Sequence, residues 1–284
     1  MPASSSVPWP ASNSVDRIRI VQLDRGMMRI PFELVPLDEV VPWGEHRRLH
    51  WYGLTQGWYG LEVGGIELLR YTEQARALLD ENGTAPPWVD YYVVRLWEDM
   101  LEAMPVVLEP VPSGLAEFFA VGSESWVVDT DDADVLKNSA IDLACEGRRL
   151  RCVDTGYLRF GPVFRWWRTL DPVDRVSVAW QFTADPDGEI AFTAPLSGRA
   201  SVETSEFVAA VTDFDHRLLR AMQERVDRLT AIGAAPGVEL DIAGLAQEQA
   251  QRRTWLPRAL AQQVDDTDWD AVRAGAAILA PHLT

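Results

Sequence analysis

Three features of the sequence predict an α+β fold, with mostly antiparallel sheet packed against several amphipathic helices and a helical C-terminal region. Short aromatic and β-branched runs broken by Gly and Pro occupy 29–71 and recur over 157–192. A long apolar series at three- and four-residue steps fills 205–232. From 240 onward the chain carries shorter helical patterns.

Taken in order, RIPFELV (29–35) reads as the first strand, and Pro36 and Pro42 bracket LDEVV. LHWYGLTQGWYGLEVGGIELLRY (49–71) reads as a β-meander with tight turns at Gly57 and at Gly64-Gly65. Two helices follow. TEQARALLDENG (72–83) stops on Asn82-Gly83, where glycine accepts the left-handed conformation that ends a helix. From Trp88 to Met104, residues Trp88, Tyr92, Leu96, Met100 and Met104 repeat every four positions, beside Val89, Val93, Trp97 and Leu101, and Pro105 closes the pattern. A short helix near 113–120, a strand SWVVD (125–129) and a helix over 132–147 come next.

YLRFGPVFRWWR (157–168) supplies one or two strands. RVSVAWQF (175–182) alternates, with Val176, Val178, Trp180 and Phe182 on one face. The turn Asp185-Pro186-Asp187-Gly188 should return the chain so that Ile190 and Phe192 resume that face. In 205–232, Phe207, Val211, Phe214, Leu218, Met222, Val226, Leu229 and Ile232 recur at three- and four-residue steps as the expected apolar stripe. Asp213–Arg217 and Glu224–Arg228 are expected as i,i+4 ion pairs. Two or three helices make up 240–283, interrupted at Pro257 and at the DDTDWD run, with Asp268 as the cap of a helix starting near Trp269.

Composition bounds the function. A hydrophobic fraction of 47% over 284 residues is enough for a sizeable core. Forty-three acids face 26 bases, a formal charge of −17. The first 26 residues hold three Arg and two Asp, so residues 27–284 carry −18. A field of this sign opposes binding to nucleic acid or to anionic membrane; it serves solubility and reflects genome bias, or else it suits a basic partner. Residues 1–26, opening on MPASSSVPWPASNSVD, read as a disordered leader ahead of one α+β domain over 27–284, with Met27 or Met28 as the expected biological start. The bases are almost all Arg, as in a GC-rich coding sequence, and Lys137 is the one lysine. Cys145 and Cys152 are expected as reduced thiols in a cytoplasmic protein, because neither a signal peptide nor an apolar run of 18 residues is evident.

Motifs that carry chemistry fail in turn, and the sequence assigns no catalytic residue, cofactor or metal site. There is no phosphate-binding G-x-x-x-x-G-K, no G-x-G-x-x-G and no H-E-x-x-H. His46 and His50 have helical metal-ligand spacing but lack a third ligand nearby, and their surroundings read as a loop entering a strand. An EF-hand register starting at Asp266 puts Ala271 and Ala277 where Gly and Glu are needed, and one starting at Asp129 breaks at Ala133. GSESW (122–126) lacks the second Gly of a nucleophile elbow.

Two groups remain as candidates. The acidic run Asp129, Asp131, Asp132 and Asp134 is a candidate interaction surface. Among twelve tryptophans, Trp43, Trp51 and Trp58 surround the first meander, and Trp166 and Trp167 lie in the second strand group; these five are candidate pocket or interface aromatics. As strand neighbours, Trp166 and Trp167 must face opposite ways, so one of them is exposed or meets a second layer. Trp180, in clean alternation, belongs to the core.

At PFELVPLDEVVPWG, LTQGWYGLEVGGIELLRY, VAWQF and the 205–232 helix, the chain resembles an uncharacterised family of actinobacterial cytosolic proteins over roughly 28–280. That resemblance implies no established activity and no site residues. The acidic α+β make-up is also similar in style to immunity proteins of bacterial toxin systems. The expectation is therefore a protein-binding module, an immunity-type neutraliser of a basic toxin or effector. The alternative is a small-molecule enzyme with a Trp-rich pocket and carboxylate acid–base chemistry, and a third option is an accessory subunit with an exposed apolar patch.

Overall fold

A computed structural model describes residues 27–80, 83–123, 126, 135–262, 264 and 267–283. The leader and the run Asp129, Asp131, Asp132 and Asp134 lie outside the described residues, as does the strand expected at 125–129 except for Trp126. The architecture is α+β with mostly antiparallel sheets and a helical C-terminal region, as the sequence predicts.

The chain opens with β1 (Phe32–Leu34), β2 (Arg48–Leu49), a 3-10 turn at Gly53–Thr55, β3 (Gln56–Tyr59), β4 (Glu62–Val63) and β5 (Ile66–Glu67). Helix α1 (Glu73–Leu79) starts on Thr72, whose side chain accepts from the Ala75 amide. Next come β6 (Val89–Tyr92), α2 (Val93–Leu108), a 3-10 turn at Ser113–Leu115, α3 (Ala116–Ala120) and α4 (Val135–Arg149). Strands β7 (Cys152–Asp154), β8 (Val163–Thr169), β9 (Arg175–Gln181) and β10 (Ser197–Glu203) lead into α5 (Thr204–Ile232). The chain ends through β11 (Glu239–Leu240), α6 (Ile242–Arg252), α7 (Trp255–Ala261) and α8 (Trp269–Leu279), with the Asp268 side chain capping α8 at the Ala271 amide.

Two sheets organise the molecule. The first is three-stranded in the order β1-β3-β6. The second is four-stranded in the order β10-β9-β8-β7, antiparallel throughout. Its two faces serve two apolar clusters. Phe164, Trp166, Val176, Val178 and Trp180 face the main core, together with Phe207, Val211 and Phe214 of α5 and Trp97 and Met100 of α2. Trp167 and Ala179 face a second cluster with Phe118, Phe119, Val272 and Ala276. A sheet covered on both sides hides both of its alternating residue sets, which is why Trp166 and Trp167 are both buried.

In the second cluster α4 and α8 pack closely, because a side chain at Gly275 would overlap the backbone carbonyl of Ala140. The buried pair Arg151–Glu109 (2.7 Å) seals this region, with Thr267 Oγ1 donating to the same carboxylate at 2.9 Å. Helix α5 ties the first sheet to the core by arginines. Arg217 donates to the Ile30 carbonyl and Arg225 to the carbonyls of Leu54 and Val35. Burial lowers the pKa of Arg225 to about 10.

Six local expectations change. Ile232, the last residue of the expected stripe, is exposed at the end of α5 beside Gly233. Trp88–Tyr92 is not the first turn of a helix: Val89–Tyr92 pairs with β3, and α2 begins only at Val93. The four-residue repeat there also fits an aromatic strand, and the available sheet edge decides between the two. Pro105 lies inside α2 and not at its end, since the helix continues to Leu108 with Val107 buried. Gly57 is a strand residue and not a turn; a Cβ there would overlap the Glu33 carbonyl. After the turn at Gly188 (φ +68°), residues 190–192 leave the sheet. Phe192 bridges to Tyr71 and stacks on its ring at 4.9 Å, and the return strand is SGRASVE (197–203). Glu224–Arg228 does not form among the described residues, whereas Asp213–Arg217 does at 2.7 Å.

Candidate functional site: an acidic aromatic cleft

The β1-β3-β6 sheet turns one face inward and leaves the other open. Phe32, Tyr59 and Val89 share a register row on the inner face, and Phe32 meets the Phe214 ring at 5.7 Å. On the outer face the register aligns Glu33, Trp58 and Asp90 in one cross-strand row, with Gln56 opposite Tyr92 beside it. Neighbours in such a row have Cβ atoms about 5 Å apart. Trp58 thus lies between two carboxylates.

This face floors a cleft of about 570 Å³, within the range of ligand-binding pockets. Val35, Pro36 and Glu39 form one wall. Tyr71, Arg76, Leu79, Asp80 and the 84–88 segment ending at Trp88 form the other. Trp88 packs over Gly60, where a Cβ would meet its indole at 2.8 Å. Four acids, Glu33, Glu39, Asp80 and Asp90, line the cleft against one base, Arg76. Arg76 is already engaged, with Glu73 at 3.1 Å and with the Ala85 carbonyl. Asp80 accepts from the Ala85 amide at 2.6 Å. The exposed Glu33, Glu39 and Asp90 have no ion-pair partner among the described residues, and neither Trp58 nor Trp88 has a ring partner there.

The rim continues as an aromatic ladder. Trp43 Nε1 donates to the Tyr92 hydroxyl at 2.7 Å, and the Trp43 ring meets His50 at 4.8 Å. Tyr92 contacts Tyr52 and Tyr91, and Tyr91 stacks on Tyr157 at 4.7 Å. Behind Tyr157 lies Asp99. The Tyr157 hydroxyl donates to it at 3.2 Å, and Arg95 pairs with it at 3.0 Å. Burial raises the Asp99 carboxyl to about 6, against the opposing pull of Arg95 and the Tyr157 hydrogen bond. Burial also pushes the Tyr52 phenol up to about 12, reinforced by Tyr91 and Glu98. Asp99 does not line the cleft.

The chain matches the model of a family of unknown function, DUF5984, over residues 29–275. It belongs to that family. No curated protein and no solved structure matches this DUF5984 chain. No site residue can therefore be carried over, and the cleft stands on its own geometry.

Of the five tryptophans singled out from the DUF5984 sequence, Trp58 is the cleft floor and Trp43, 45% exposed, joins the rim through Tyr92. Trp51, Trp166 and Trp167 are buried and line no cleft. Trp51 belongs to a closed cage in which the Arg252 guanidinium lies 4.2 Å from its ring centre, 4.9 Å from Trp255 and 5.5 Å from Trp97. Glu98 (2.6 Å) and Glu248 (2.9 Å) complete that cage. Glu33, Asp90, Trp88 and Tyr92 were not singled out as site residues. Their signal was the register of three short strands, which becomes readable only once β6 is recognised as a strand.

A second cavity, of about 880 Å³, is lined by Trp126, Cys145, Arg148, Arg149, Cys152 and Arg165 among others. Its arginines are engaged. Arg148 donates to the Val121 carbonyl and lies over Trp126, Arg165 donates to the Ala120 carbonyl, and Arg149 pairs with Glu146. Burial raises both thiols, which keeps them protonated. His50 Nδ1 accepts from the Gly53 amide, and its imidazole is held below its ordinary pKa by burial. No three metal-ligating side chains converge among the described residues, and no helix there is long and apolar enough to cross a membrane.

Proposed function

We propose that this chain is a protein-binding module that captures a basic partner, with the β1-β3-β6 cleft as its contact site. The observation that carries the reading is the row Glu33–Trp58–Asp90, in which a half-buried indole lies between exposed carboxylates that have no ion-pair partner among the described residues. A cationic side chain entering there meets a ring face and two opposite charges, and the −18 carried by residues 27–284 steers it in. Exposed Val41 and Trp43 beside the cleft give a protein partner apolar surface to cover. A basic toxin or effector is the partner class, the chain acting as its immunity-type neutraliser in the cytoplasm. Neutralisation by occupancy needs no catalytic group. The enzyme alternative asks for a perturbed carboxyl inside the pocket, and the carboxyls raised by burial, Asp99 and Asp215, lie behind Tyr157 and against Trp97 Nε1 instead.

The test is fluorescence anisotropy of a labelled basic peptide of mixed Lys and Arg with the full chain. Saturable binding that weakens with salt and disappears in the Glu33→Lys/Asp90→Lys variant is expected. Binding indifferent to that charge reversal would sink the proposal.

A further inference from the structure

We infer that the cleft selects guanidinium over ammonium: the partner is read through arginine side chains. The inference rests on the basic-partner reading above and adds the chemical identity of the group recognised. The molecule itself supplies the pattern. Where this fold buries an arginine of its own, Arg252, it uses tryptophan faces within 4.2–5.5 Å of the guanidinium carbon and carboxylates on two different elements. Glu248 comes from α6 and Glu98 from α2. The cleft offers the same components without an occupant from the described residues. Trp58 supplies a ring, Trp88 and Tyr92 flank it, and Glu33 and Asp90 stand on opposite sides from β1 and β6.

Geometry favours the planar cation. Glu33 and Asp90 are separated by the width of two strand spacings, about 10 Å, with the indole between them. A guanidinium lying flat on the ring directs N–H groups outward in its own plane toward both sides, and it gives up its weak hydration readily. A lysine ammonium is compact and strongly hydrated, so it satisfies one carboxylate and leaves the other. Arg76, the single base in the lining, is tied to Glu73 and the Ala85 carbonyl and does not fill this role internally.

Isothermal titration of the full chain with acetyl-Gly-Arg-Gly-Arg-Gly-amide and with its lysine counterpart tests the inference. The arginine peptide should bind at least about tenfold more tightly. Trp58→Leu should abolish the preference, and Trp58→Phe should retain part of it. Because Trp58 also packs against the core, Glu33→Gln/Asp90→Asn gives a second readout. In that variant the preference should fall to about threefold or less, with an unchanged urea midpoint. Equal affinity of the two peptides for the wild-type chain overturns the guanidinium assignment while leaving the basic-partner reading intact. An arginine preference that survives both Trp58→Leu and the double variant overturns the site. Binding of neither peptide overturns both readings.

Discussion

The Arg252 cage and the β1-β3-β6 cleft are built from the same parts: in the cage the chain supplies a guanidinium against the rings, and in the cleft the proposed partner would supply it. In the cage, α6 supplies the guanidinium, and Gln249, three residues earlier and on the same face, fixes that helix. It accepts from Trp51 Nε1 at 2.8 Å and donates to the Leu219 carbonyl at 2.9 Å. Arg252 is only 8% exposed. In the cleft, Glu33 and Asp90 are exposed and have no ion-pair partner among the described residues. A carboxylate stays unpaired at low cost only where water solvates it, so the half-buried acids of the cage take a cation from the chain and the exposed acids of the cleft do not need one. The difference separates tryptophans that hold the fold from tryptophans available to a partner.

Substitution should break this comparison unevenly. Arg252→Ala strands Glu98 and Glu248 and removes the cation from three indoles. A loss of about 2–4 kcal/mol is expected, read from urea unfolding, with partial solvation of the two acids keeping it below a fully buried pair. The corresponding acids of the cleft should behave differently, Glu33→Gln or Asp90→Asn moving stability by no more than about 0.5 kcal/mol. A large loss in either would mean that the cleft is also a structural cage.

Gly57→Ala comes next. The added methyl overlaps the Glu33 carbonyl, so β1 and β3 must separate, at about 1–3 kcal/mol. Because the shift falls on the strand that carries Glu33, peptide affinity should drop with it, measured by the same titration. A variant that loses stability but keeps full affinity would detach the floor geometry from recognition.

The smallest effect is on pH dependence. The folded pKa of Asp99, about 6, lies above the ordinary carboxyl value of about 4. The folded state therefore binds this proton more tightly than the unfolded state does. Its contribution is fully present below pH 4 and is lost as pH rises through 6. Urea midpoints at pH 4, 5, 6 and 7 should show that decline in the wild type, superposed on the titration of other groups. The difference curve between wild type and Asp99→Asn should vary between pH 4 and 6 and flatten above. Arg95, Glu98, Glu102 and Tyr157 act on this carboxyl, so a flat difference curve would mean that Arg95 and Tyr157 cancel its burial.

Much of the fold was readable from local pattern. Helix α5, the Gly64-Gly65 hairpin, the alternation of 175–182 and the Asp268 cap rest on neighbours a few residues apart, and each forms as the pattern requires. SGRASVE alternates only through the small residues Gly198, Ala200 and Val202, a weak signal, yet it becomes β10, because those three positions fit opposite Trp180, Val178 and Val176 along the free edge of β9. Trp88–Tyr92 fits two periods at once, and its pairing with β3 selects the strand.

The site was less legible than the fold. The sequence by itself determined that the chain is acidic, rich in tryptophan and able to build an α+β core, since charge, composition and periodicity are properties of the chain. It could not tell Trp58 from Trp51, because both lie in the same aromatic run seven residues apart. Tertiary structure decided that. Trp51 meets Arg252 from a helix some two hundred residues later, while Trp58 lies between Glu33 and Asp90 on the face that floors the cleft. The physical reason is that burial and cross-strand register are long-range quantities: which charge pairs with which ring depends on strands and helices that are distant in sequence and adjacent only in space.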